Sequence, residues 1–220
     1  MKYPVNEVFQ TIQGEATWTG TPSVFIRLQG CPVGCAWCDT KHTWDVEPID
    51  RVTIPVMLAK DVDDRTYAEM TVPEVIGLLE TYTARHVVIT GGEPCLYDLT
   101  PLTATLLDAG YTVQIETSGT HEVRVDDRAW VTVSPKLDMP GGFDVLDSAL
   151  ARADEIKHPV GKGADYDKMR ERILPRVAQG VPVWLQPLSQ NRTATALCVN
   201  FATQHGHKVS IQTHKFIGVR

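Results

Sequence analysis

The chain has 220 residues, 43% hydrophobic and 22% charged, with a formal charge of −6. That is enough chain for one sizeable core, read as a single domain over residues 1–220, and the acidic balance lacks the basic stripe a nucleic-acid partner leaves. The first residues, Met1-Lys-Tyr-Pro-Val-Asn-Glu7, carry no apolar signal core, and no run reaches the roughly 18 apolar residues of a membrane helix, so a cytoplasmic protein without a membrane partner is expected.

In chain order, Phe9-Gln-Thr-Ile-Gln13-Gly14-Glu15 alternates apolar and polar residues before a glycine turn. This predicts a short strand with Gln13 and Glu15 on one face, where solvated edge residues are the ordinary reading. Residues 23–28 read as a buried strand, apolar except for Arg27. A buried guanidinium needs an anion, either a protein carboxylate or a ligand. Next comes Cys31-Pro-Val-Gly-Cys35-Ala-Trp37-Cys38-Asp39-Thr40, in which Gly30 and Gly34 free the backbone to wrap. Thr40 there is ordinarily a helix cap.

Residues 45–70 show no periodicity and read as an irregular insertion, with Pro48, Pro55 and an acidic cluster at 61–64. It holds a short helix near 56–60 or a flap. Thr71-Val-Pro-Glu74 is a capping box opening a helix to about residue 81. Beyond it, strands at 86–90, 112–116, 130–133, 155–157, 181–186 and 208–212 alternate with helices at 99–109, 145–153, 164–177 and 193–205. The third of these helices is interrupted near Pro175.

Such alternation gives a parallel sheet, and the strand count falls short of a closed barrel. The fold class expected is α/β, an open, partial TIM-like barrel of about six parallel strands. Thr90-Gly-Gly-Glu-Pro94, Glu116-Thr-Ser118, Ser134-Pro135-Lys136 and Gln186-Pro187 all end strands, and the cysteine loop follows one. In parallel α/β folds that edge is where ligands bind.

The cysteines decide the chemistry. A disulfide needs pairs and a structural zinc site closes with four ligands, so three cysteines in eight residues satisfy neither alone. A 4Fe-4S cluster takes three thiolates and leaves one iron open to another ligand. Zinc stays open as the other reading. Cys95 and Cys198 stand apart and read as small buried hydrophobes.

The C-x3-C-x-aromatic-C spacing, with Trp37 in the aromatic place, resembles the radical S-adenosyl-L-methionine (SAM) superfamily. Taken with Gly91-Gly-Glu-Pro94, Gln13-Gly-Glu15, Arg27, Cys38-Asp-Thr40, Glu116-Thr-Ser-Gly119, Val133-Ser-Pro-Lys136 and Gln212-Thr-His-Lys215, the chain is similar to the 7-carboxy-7-deazaguanine synthases within it. The resemblance runs from about residue 6 onward; residues 45–70 match little, and Ala16 stands where these synthases more often carry a second glycine.

The resemblance implies conversion of 6-carboxy-5,6,7,8-tetrahydropterin to 7-carboxy-7-deazaguanine and ammonia, a lyase reaction of queuosine biosynthesis using a 4Fe-4S cluster, SAM and Mg2+. Cys31, Cys35 and Cys38 would ligate the cluster. Trp37, Cys38, Asp39, Gly92, Ser134, Pro135, Lys136 and Gln186 would bind SAM. Ile12, Gln13, Gly14, Glu15, Arg27, Thr90, His214 and Arg220 would meet the pterin, whose 6-carboxylate suits the Arg27 fork. Thr40 would hold Mg2+, and no residue is assigned as the base at C7. The resemblance also implies a homodimer and an electron donor such as flavodoxin. The rivals are another small radical SAM enzyme, such as a glycyl-radical activase, and a non-catalytic iron-sulfur or zinc protein.

Overall fold

The alternation of apolar and polar side chains along the strands sets the architecture, since successive residues of a strand face opposite sides of the sheet. The computed structural model describes residues 1–61 and 63–219. Among these described residues nine strands form one sheet: β1 (Lys2–Ile12), β2 (Pro22–Leu28), β3 (Ala68–Thr71), β4 (His86–Gly91), β5 (Thr112–Thr117), β6 (Trp130–Val133), β7 (Glu155–Val160), β8 (Val183–Pro187) and β9 (Lys208–Val209). Their spatial order is β3-β1-β2-β4-β5-β6-β7-β8-β9. From β2 to β9 every pairing is parallel; β1 runs antiparallel to β2 and to β3. The edge strands β3 and β9 do not pair, so the barrel is open, as the α/β pattern predicts.

Val87 and Ile89 of β4, Val113 and Ile115 of β5, Val131 and Val133 of β6 and Leu185 of β8 face outward into two apolar clusters. Helices α1 (Ile54–Ala59), α2 (Val72–Leu79) and α3 (Thr100–Asp108) cover the first cluster; α4 (Asp147–Arg152), α5 (Gly163–Arg172) and α6 (Arg192–His205) cover the second. The intervening residues Gln114, Glu116, Thr132, Glu155 and Lys157 face inward, where they bond to one another. Burial thus takes the apolar face and leaves a polar barrel interior.

Helix ends follow the local chemistry. Glu74 accepts from the Thr71 backbone N–H and hydroxyl, each at 2.7 Å, completing the capping box of α2. Asn191 caps α6 by accepting from the Thr193 N–H at 2.8 Å, and Gly206, at φ +73°, ends it.

Of the two readings of the insertion the structure has the short helix, and it adds an edge strand that was not expected. The insertion supplies α1, whose Met57 is buried in the first cluster, and the edge strand β3. Four residues with charged neighbours give β3 too little pattern to announce a strand, and its pairing with β1 is long-range.

Candidate active site

The turn after β1 builds the floor. Because Ile12 pairs with Pro22, residues 13–21 cross the end of the barrel opposite the ligand-binding edge. The strand ends at Ile12, earlier than the alternation predicts, yet Gln13 and Glu15 still point together into the interior. Gln13 donates to Gln114 at 3.0 Å, Gln114 donates to Thr132 at 2.9 Å and to Glu116 at 3.2 Å, and Thr132 donates to Glu155 at 2.7 Å. Trp18 stacks on His86 with ring centres 4.4 Å apart and closes the floor. The same turn bridges the open side of the barrel: Ala16 N–H donates to Ser210 at 3.0 Å, and Thr213 N–H to the Gly14 carbonyl at 3.0 Å. Ala16 itself sits at φ +52° while almost fully buried, which explains why glycine suits that position.

Two joined cavities open above this floor. One, of about 320 Å3, is lined by Cys31, Cys35, Trp37, Cys38, Gly92 and Lys136 among others. The second, of about 200 Å3, is lined by Ile12, Gln13, Arg27, Phe25 and His214. Glu15, Asp39, Thr40, Thr90, Glu116 and Lys157 line both.

The cysteine loop rises from the end of β2. Its backbone is tied by Gly30 N–H to the Thr43 carbonyl at 2.7 Å and Cys31 N–H to the Trp44 carbonyl at 2.8 Å. Trp44 Nε1 donates to Cys38 Sγ at 3.4 Å. Burial pushes the Cys31 thiol up to about 11 and raises Cys35 as well, so a cationic partner is needed to hold either as thiolate. Cys31, Cys35 and Cys38 all line one cavity, three thiol donors on a single loop, where a structural zinc closes with four ligands. The donor set fits a body with several separate irons. Cys95 and Cys198 are buried in the two apolar clusters, as their isolation predicts.

The end of β4 lies flat against this loop. Gly92 N–H donates to the Leu28 carbonyl at 2.9 Å and Glu93 N–H to the Gly30 carbonyl at 2.7 Å. A Cβ on Gly92 would meet the Gly30 carbonyl oxygen at 2.1 Å and Cys31 Cβ at 3.0 Å. The Glu93 carboxylate braces β4 to β5, accepting from Thr117 at 2.6 Å, from the N–H groups of Ser118 at 2.8 Å and Cys95 at 2.9 Å, and from the Ser118 hydroxyl.

One ammonium serves two carboxylates at the seam of the cavities. Lys157 Nζ lies 2.5 Å from Glu15 and 2.6 Å from Glu116. Burial raises the Glu15 carboxyl, but Lys157, with Gln212 at 2.8 Å and His214, outweighs it and holds the group at about 2. For Glu116 burial prevails over Lys157, with Glu15 and Glu155 adding to it, and the carboxyl stands at about 7. Burial works against the Lys157 charge, yet its two carboxylates raise it.

The sequence-derived site residues mostly converge. Trp37, Cys38, Asp39, Gly92, Ser134, Lys136 and Gln186 line the cysteine-side cavity, whereas Pro135 faces an adjoining hollow that shares Trp37 with it. Ile12, Gln13, Glu15, Arg27, Thr90 and His214 line the second cavity. Gly14 lines neither; a Cβ there would meet His214 Nδ1 at 2.1 Å, so its bareness lets His214 approach. Arg27 has its protein carboxylate, Glu7 at 2.5 Å from Nε, and it lies over Phe9 at 5.8 Å while still lining the cavity. The Thr40 hydroxyl makes no cap hydrogen bond; it lies 3.5 Å from Cys38 Sγ and lines both cavities. Arg220 lies outside the described residues. Sequence reasoning missed Lys157 and Gln114 and gave Glu116 and Gln212 no role of their own; the signal available was Glu155 and Lys157 alternating about the apolar Ile156.

Comparison with known proteins places the whole chain beside a single family. The Radical SAM superfamily profile matches residues 25–129. The chain is 50% identical to the 7-carboxy-7-deazaguanine synthase of Escherichia coli strain K12, over all of both chains. It is 42% identical to that of Buchnera aphidicola, again over all of both, and 32% identical to that of a Synechocystis strain, covering all of this chain and 95% of that one. The crystal structure of QueE from Escherichia coli superposes with a TM-score of 0.93 at 50% identity, covering 96% of this chain and 94% of that one.

Proposed function

The chain belongs to the 7-carboxy-7-deazaguanine synthase family of the radical SAM superfamily, and from that premise we propose that it converts 6-carboxy-5,6,7,8-tetrahydropterin to 7-carboxy-7-deazaguanine and ammonia, acting as a lyase in queuosine biosynthesis. The observation that carries this reading is the junction of a three-cysteine cavity with one lined by Arg27, Gln13 and His214, through residues common to both.

When bound, a 4Fe-4S cluster and SAM supply a radical that takes a hydrogen atom from C6 of the pterin. The chain's own residues position and shield. Cys31, Cys35 and Cys38 hold the cluster. Trp37, Cys38 and Asp39 meet the adenosine of SAM, Gly92 its amino group, Ser134, Pro135 and Lys136 its ribose and carboxylate, and Gln186 the ribose. Ile12, Gln13, Glu15, Thr90 and His214 orient the pterin, Gly14 serving by leaving room for His214, and Arg220 is assigned to the pterin as well. Glu7 fixes the Arg27 guanidinium by Nε, so its fork is ordered before the 6-carboxylate arrives; preordering lowers the entropy lost on binding. Glu15, held ionised by Lys157, is an acceptor for the amino and ring N–H donors of the pterin.

Thr40 lines both cavities, and its hydroxyl would hold a Mg2+ ion, which would supply Lewis acidity there. We also read residues 1–220 as one domain, working as a cytoplasmic homodimer reduced by a flavodoxin-like donor. Among the described residues no helix is long and apolar enough to cross a membrane. Expression in cells lacking their own 7-carboxy-7-deazaguanine synthase tests the reaction: queuosine returns to tRNA if the proposal holds, and stays absent despite soluble, iron-loaded protein if it does not.

A further inference from the structure

Resting on the reaction just proposed, the geometry points to Glu116 as the group that takes the C7 proton of the contracting ring and passes it to the departing amine, with Lys157 as its positioning residue. Substrate and product differ by one NH3, so ring contraction itself is an isomerisation. Elimination then completes the reaction. The C7–H bond breaks, its electron pair becomes the double bond of the new five-membered ring, and the former ring nitrogen leaves with the C–N pair. One proton has moved from carbon to nitrogen, and no oxidant or reductant is consumed.

That transfer needs a group facing both the radical source and the pterin. Three carboxylates line both cavities: Glu15, Asp39 and Glu116. Glu15 is the acceptor assigned to the pterin's N–H donors and is held at about 2, a weak base; Glu116, likewise bound by Lys157 and an amide, carries no such role. Asp39 is exposed at the mouth, where water competes for any proton. Glu116 lies inside, with one oxygen at 2.6 Å from Lys157 and the other accepting from Gln114 at 3.2 Å. Its surroundings are mixed: Lys157 and Glu155 face it from β7, Glu15 from the floor and Lys136 from beyond β6, while Arg27 and His214 line the far side of the pterin cavity. Burial with two carboxylates nearby holds it near 7, where a carboxyl both accepts and returns a proton efficiently.

The test uses the reconstituted holoenzyme with SAM, Mg2+ and 6-carboxytetrahydropterin. Glu116→Gln should slow formation of 7-carboxy-7-deazaguanine roughly 10²–10⁴-fold while the pterin is still consumed, and an amine isomeric with the substrate should accumulate. Wild-type rate should rise with pH through an acid limb centred at about 7, because the base must be ionised; that limb should vanish in Glu116→Gln and move to higher pH in Lys157→Met. Glu116→Asp should recover part of the rate. Independently of turnover, infrared titration of the protein should show a carboxylic-acid band disappearing near pH 7, absent in Glu116→Gln. An unchanged rate and pH limb in that variant, or equal loss of pterin consumption and product, would overturn the assignment. If the wild type forms no 7-carboxy-7-deazaguanine at all, the proposed reaction fails first and this assignment falls with it.

Discussion

Gly92→Ala probes how the end of β4 meets the cysteine loop. The new Cβ would lie 2.1 Å from the Gly30 carbonyl oxygen and 3.0 Å from Cys31 Cβ. Even a close C–H···O contact spans about 3.3 Å, so the two segments must part by roughly 1.2 Å. Parting them strains two backbone hydrogen bonds, Gly92 to Leu28 at 2.9 Å and Glu93 to Gly30 at 2.7 Å. At roughly 0.5–1.5 kcal/mol per bond, with overpacking adding roughly 1–3 kcal/mol, the variant should lose roughly 2–6 kcal/mol of stability. A shift of about 1 Å in Cys31 relative to the bound cofactor should also slow SAM cleavage by about 10²-fold or more. Gly77→Ala is the matched control: Gly77 lies in α2 with nothing within 4 Å of the added Cβ, and alanine there should stabilise by about 0.5–1 kcal/mol. Denaturant unfolding without cluster, then iron content and 5'-deoxyadenosine formation after reconstitution, separates the effects. A Gly92→Ala protein as stable and active as the parent would refute the role given to this glycine.

Further variants test other parts of the site. Ala16→Gly should stabilise by about 1 kcal/mol in urea unfolding by relieving the left-handed backbone; equal or lower stability would contradict that strain. Cys35→Ala should give a colourless protein after anaerobic reconstitution, while Cys198→Ala stays brown; the reverse would misplace the cluster. Arg27→Ala should weaken pterin binding by roughly 2–5 kcal/mol in a direct titration while leaving reductive SAM cleavage by a strong chemical reductant intact. His158, buried against α5, is lowered by burial to about 4 from an ordinary 6.5. Its contribution to stability is therefore complete above pH 6.5 and lost as pH falls toward 4, with a slope of at most about 1.4 kcal/mol per pH unit. His158→Phe should flatten that portion of the melting-temperature profile, and parallel profiles would contradict the assignment.

Much of this was legible in the chain because strand ends carry their own punctuation. Gly-Gly-Glu-Pro follows an apolar run and Thr-Ser-Gly and Ser-Pro-Lys follow alternating ones, and a parallel sheet must bring such ends to one edge. The capping box at Thr71 was equally local. What escaped depended on distance. Lys157 meets carboxylates 142 and 41 residues away in sequence, and no spacing rule announces such a trio. Arg27 offered a choice between protein and ligand anions, and the structure gives it Glu7 while leaving it on the cavity wall. Thr40 looked like a cap because Ser and Thr before a turn usually are; here its hydroxyl turns toward Cys38 instead. Strand β3 and the tight approach of Gly14 to His214 are set by partners far along the chain.

The central claim is tested most directly by anaerobic turnover of the reconstituted protein with SAM, dithionite, Mg2+ and 6-carboxytetrahydropterin, read by mass spectrometry. The account predicts 7-carboxy-7-deazaguanine and an equal amount of ammonia; 5'-deoxyadenosine appearing while the pterin survives intact would contradict it.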